Sequence, residues 1–123
     1  MKQEGDLQVV IKAKKLCVHT IKVTSNSKKF PKKYRFTLCD KMQNKAMEIY
    51  ENLLEANRTL LTDKVARNEL QTKAILYCDE LLFYIEMCLD LQIIQSNSAD
   101  FWSKLVSDIK FMTIAWRSKD KQR

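Results

Sequence analysis

"CDKMQNKAMEIYENLLEAN", residues 39 to 57, places Cys39, Met42, Ala46, Ile49, Leu53 and Ala56 at alternating steps of three and four. That is the period of a helix with one buried seam, and no strand has it. The rest of the chain fits the same reading. It has 123 residues, enough for one domain with one core. One glycine and one proline are too few for the many turns a sheet protein needs, whereas a few long helices need only two or three connections. A hydrophobic content of 46% excludes wholesale disorder. The expectation is an all-α domain, an antiparallel up-down-up-down four-helix bundle spanning 1–123.

Spacing predicts helices over about 7–24, 34–57, 63–92 and 98–118. In the first, Leu7, Val10, Cys17 and Ile21 form the stripe, Lys12, Lys15 and Lys22 point away, and Asp6 suits an N-cap. The second begins between Pro31, a good first-turn residue, and Thr37, which could cap with Asp40 three residues on. The third starts at Thr62 or Asp63 and has the seam Leu70, Ala74, Tyr77, Leu81, Tyr84, Cys88 and Leu91. Leu76, Leu82, Phe83, Met87 and Leu89 fall off that seam, so its apolar surface exceeds one face. That excess is read as an oligomer interface. In the fourth, capped by Ser98, the seam is Trp102, Leu105, Ile109, Met112 and Trp116. The tail after Ser118 is polar and expected to fray.

Charge is unevenly spread. Net charge is +7; residues 1–35 carry ten Lys/Arg against two acids, 36–95 six against ten, and 96–123 six against three. If the two basic ends meet in space, they form one basic region. Lysines 28, 29, 32 and 33, with Arg35, crowd the connection around the only proline. We assign phosphate contact first to Lys28, Lys29, Lys32 and Lys33, then to Lys14, Lys15, Arg117 and Lys119. Such binding would be salt-dependent with little sequence preference. Arg35 could contact phosphate or anchor the loop to a helix end. Trp116 and Phe36 are assigned to the core; the aromatic groups beside the patch are limited to Phe30, Tyr34 and Phe36, so base stacking is a weak extra.

The pattern offers no catalytic residues. The single histidine, His19, has no nucleophile or orienting carboxylate beside it in sequence and reads as a helix-boundary residue. Cys17, Cys39, Cys78 and Cys88 lack metal-ligand spacing and read as free thiols. Glu48, Glu51, Glu55, Asp79, Glu80, Glu86 and Asp90 read as a solvated face, because one histidine cannot supply a di-iron set. A glycine-rich phosphate loop is absent. No enzyme, cofactor or metal is expected. No signal sequence or membrane span is legible, and a cytoplasmic location is expected.

Residues 29 to 57 resemble the accessory variability determinant (Avd) proteins of diversity-generating retroelements. The likeness rests on Lys29, Phe30 and Pro31, then Arg35, Phe36, Thr37 and Leu38, then Asp40, Gln43, Glu55, Ala56 and Asn57. A closing helix with Trp116, Arg117 and Ser118 extends it over about residues 16 to 118. Cys39 stands where the family often has glycine, and the first helix is richer in lysine and poorer in aromatics. The resemblance implies a homopentameric barrel of four-helix bundles without catalytic activity. It also implies association with a reverse transcriptase and its template RNA in mutagenic copying. The four-helix proteins encoded by intervening sequences in bacterial large-subunit rRNA genes share the Phe-Pro lead and the bundle, but not the Arg-Phe-Thr-Leu run. A third reading is an oligomeric scaffold that binds proteins and no nucleic acid.

Overall fold

A computed structural model describes residues 4–123. Four helices fill most of it: α1 (Glu4–Thr24), α2 (Asp40–Arg58), α3 (Lys64–Asp90) and α4 (Ser96–Gln122). Among the described residues there is no β-strand. The principal neighbours of both α1 and α3 are α2 and α4, so α1 and α3 sit at opposite corners. The contacts set the order along each pair. Asp6 meets Arg123 at 3.4 Å, and Trp102 Nε1 donates to Thr20 Oγ1 at 3.1 Å. Gln43 Nε2 donates to Thr24 Oγ1 at 2.8 Å, Lys45 reaches Glu80 at 2.7 Å, and Lys110 reaches Asp79 at 2.7 Å.

The core is continuous, with Trp102, Leu16, Met42, Ile49, Leu53, Leu81, Ile85 and Ile109 among its fully buried side chains. Every residue of the α2 seam is buried, from Cys39 to Ala56. In α1 the inner face is Val9, Val10, Ala13, Leu16, Cys17, Thr20 and Thr24. Leu7 and Ile21, expected on the inner stripe, are 49% and 41% exposed. The inner line combines Val9, Val10 and Leu16 with the smaller Ala13, Cys17, Thr20 and Thr24, and Leu7 and Ile21 fall outside it. Asp6 is not an N-cap: it lies within the helix, buried, and faces Arg123.

α3 differs in phase from its expected seam. Arg67, Gln71, Ala74, Cys78, Leu81, Ile85 and Cys88 are buried, while Leu70, Tyr77 and Tyr84 flank the core half-buried and Leu91 is exposed. Two polar residues belong to the inner line because Asp120 meets them there. Arg67 donates from Nε and Nη2 to the Asp120 carboxylate at 3.0 and 3.1 Å, and Gln71 Nε2 donates at 2.8 Å. Arg67 Nη1 also donates to the Ala56 and Thr59 carbonyls at the end of α2. The expected fraying after Ser118 is therefore corrected. α4 stays helical to Gln122, held by buried Asp120.

Helix starts need two further corrections. Ser98 lies inside α4, which begins two residues earlier; Asn97 Oδ1 accepts from the Ser98 N–H instead. Thr37 does not cap α2. It sits in a π turn, Arg35–Cys39, that follows a 3₁₀ turn, Lys32–Tyr34, and runs straight into the helix. Asp63 does cap α3, accepting from Ala66 N at 3.3 Å.

Candidate nucleic-acid interface

The lysine connection is an ordered structure. α1 ends where Thr24 Oγ1 turns back to the Thr20 carbonyl at 2.7 Å. Asn26 then organises the turn: its side chain accepts from Lys28 N at 3.0 Å, and its carbonyl accepts from Lys29 N and Phe30 N. Phe30, 3% exposed, plugs the loop into the core edge-on to Trp102, with ring centroids 6.5 Å apart. With its centre pinned, the loop holds Lys28, Lys29, Lys32 and Lys33 in solvent on either side. Among the described residues none of the four forms an ion pair, and Lys33 lies 5.2 Å from the centre of the Tyr34 ring.

Below the lysines is a cleft of about 390 Å³ bordered by Ser25, Ser27, Lys32, Arg35, Asp40 and Gln43. Arg35 is exposed there, and its guanidinium makes no hydrogen bond among the described residues. Phe36 corrects its assignment to the core: it is 74% exposed. The π turn widens the backbone by one residue and directs Leu38 and Cys39 inward, which leaves Phe36 in solvent beside the lysines.

The other candidates lie elsewhere. Lys14 and Lys15 line a shallow groove along α1 with Ile11, Val18 and Lys22. Arg117 donates to Thr72 Oγ1 at 3.2 Å, and Lys119 borders a cavity with Asp6 and Trp116. The chain ends do meet, through Asp6 and Arg123, but the lysine loop is at the opposite end of the bundle, beside Trp102. Trp102 and Arg117 are separated by roughly 22 Å along α4, at 1.5 Å per residue. The basic residues thus form separate patches and not one region. On α3, Leu76, Phe83 and Met87 are exposed, whereas Leu82 and Leu89 are partly buried against the core.

Elsewhere, burial governs His19 and the cysteines. Burial lowers the His19 pKa below its ordinary value, with Lys22 adding to the effect, and its ring packs 5.1 Å from Phe101. All four cysteines are buried and free; burial pushes Cys17 up to about 11 and Cys78 and Cys88 up to about 12. Among the described residues no group of three His, Cys, Asp or Glu could hold a metal ion. No described helix is long and apolar enough to cross a membrane. The signal that could have found the Arg67–Asp120–Gln71 network was the pair Arg67 and Gln71 on one face at four-residue spacing, with Asp120 in the basic tail.

No family model matches the sequence, and no curated protein does. The fold is similar to the crystal structure of a protein with unknown function from the S23 ribosomal protein family of Bacteroides thetaiotaomicron. The TM-score is 0.81 at 15% identity, covering 93% of this chain and 98% of that one. At this identity the likeness concerns the fold.

Proposed function

We propose that this chain is a non-enzymatic accessory protein of a diversity-generating retroelement, binding template RNA and the reverse transcriptase in support of mutagenic reverse transcription. The observation that carries the RNA half is the lysine loop: four exposed ammonium groups and Arg35 around an anchored Phe30, none of them in an ion pair among the described residues. Phosphate is the partner that such a cluster suits, through charge and with little regard to sequence. The reverse-transcriptase half rests on the resemblance over residues 29 to 57. We read the bundle as up-down-up-down antiparallel, because the residues joined across each helix pair run in opposite order. We read the assembly as a homo-oligomer, a pentamer by the same resemblance, and its location as cytoplasmic.

The test replaces Lys28, Lys29, Lys32 and Lys33 together with glutamate and measures RNA binding by fluorescence anisotropy near 0.1 M salt. The wild type should bind, and the variant should bind at least about 100-fold more weakly with unchanged helical circular dichroism. Undiminished binding by a folded variant would sink the loop assignment. A wild type that binds no RNA would favour the protein-only scaffold. A second reading is kept because the S23 neighbour bears a ribosomal protein family name: a four-helix protein of an rRNA intervening sequence. A reading frame lying inside an rRNA gene would decide for it, and a neighbouring reverse-transcriptase gene for the first.

A further inference from the structure

α1 carries two seams. Besides the inner one, Leu7, Ile11, Lys14, Val18 and Ile21 recur at steps of four, three, four and three, and all five are exposed. This is the spacing of a helix face that packs against another helix, with a lysine at one position. Lys14, Lys15 and Lys22 border the groove along it, and no acid occurs between Leu7 and Ser25.

α3 carries a second such surface, acidic toward its C-terminal end. Val65, Leu76, Phe83 and Met87 lie on one outer stripe, and all are exposed, Val65 at 72% and Phe83 at 63%. Exposed Glu69, Glu86 and Asp90 accompany the stripe; Lys64 and Lys73 lie on its N-terminal half, where Arg117 and Lys121 also border Val65, so the half around Phe83 and Met87 is the acidic one. Because α1 and α3 occupy opposite corners, neither seam can cover the other within one chain. Two exposed apolar stripes on one small domain call for a partner.

We propose that the outer seam of α1 in one copy packs against the outer stripe of α3 in the next copy. The inference rests on the reading of the chain as self-associating and specifies how. Pairing α1 with α1 would set lysines against lysines, whereas the α1 lysines against Glu86 and Asp90 beside Phe83 and Met87 are complementary. The aliphatic stems of Lys14 and Lys15 cover apolar surface while their ammonium groups reach the acids of α3. Because the two faces differ, the contact is heterologous and repeats head to tail until a ring closes.

The experiment measures particle mass by light scattering on a sizing column, with circular dichroism to verify folding. The wild type should be a discrete multiple of 14.5 kDa. Val18→Asp and Phe83→Asp, both at exposed positions, should each weaken assembly by at least about 30-fold. Reversing Lys14, Lys15 and Lys22 to glutamate, or Glu69, Glu86 and Asp90 to lysine, should also dissociate it. Joining both reversals in one chain should restore it. A Val18→Asp protein that assembles like the wild type, or a combined reversal that stays dissociated, would overturn the α1–α3 pairing and leave self-association standing. A monomeric wild type would overturn both.

Discussion

Asp120 stands three residues from the end of the sequence, in a run of basic and polar residues, yet it is 6% exposed. Burial alone would raise its carboxyl. The bonds donated by Arg67, Arg123 and Gln71 outweigh that and hold it below its ordinary value. A carboxylate with a depressed folded pKa contributes stability that is present above its unfolded value, near 3.8, and lost as pH falls through the folded one. Replacing it by asparagine leaves the 3%-exposed Arg67 charge unneutralised, at a cost of about 3–5 kcal/mol near pH 7. Urea unfolding should show that gap at pH 7 and a clearly narrower one at pH 3. Equal stability of Asp120→Asn and wild type at pH 7 would mean that the tail is not part of the fold.

At the scale of the element, the chain builds its turns almost without glycine. α3 ends in a paired arrangement: Ile93 N donates to the Cys88 carbonyl at 2.9 Å, and Gln92 N to the Leu89 carbonyl at 3.0 Å. Gln92 itself has φ 61°, the left-handed conformation for which glycine is the usual residue. Gln92→Gly should therefore raise the unfolding free energy by up to about 1 kcal/mol, read as a higher urea midpoint at unchanged m-value. A loss of similar size would show that the glutamine side chain holds the turn. The same scale shows what was legible in the sequence. The α2 seam could be read to the residue because its outer face is polar. α3 and α1 could not, because apolar residues surround α3 and because α1 has a second aliphatic seam that competes with the inner one. Phe36 was misplaced for another reason: a π turn shifts the register by one residue, and periodicity cannot anticipate it. The lysine cluster was legible as a cluster. Its anchoring by Phe30 and its separation from Arg117 depend on which helix ends meet.

For the whole molecule, that separation turns one expected basic region into patches with unequal claims on RNA. The loop offers four lysines and an arginine that make no ion pair among the described residues. At the other end Arg117 is tied to Thr72, and the nearby acids Asp6 and Asp120 offset the basic tail. Each phosphate contact with a single strand adds about 0.7 to the slope of log affinity against log salt. Neutralising Lys28, Lys29, Lys32 and Lys33 to glutamine should lower that slope by about 3 in magnitude. Arg117→Gln with Lys119→Gln should lower it by about 1 or less, and the two losses should add, because patches roughly 22 Å apart share no partner. Titrations at several salt concentrations, with each variant set alone and combined, would measure all three. A slope carried by Arg117 and Lys119 would move the RNA to the end where the termini meet, and the lysine loop would then be free to serve the protein partner.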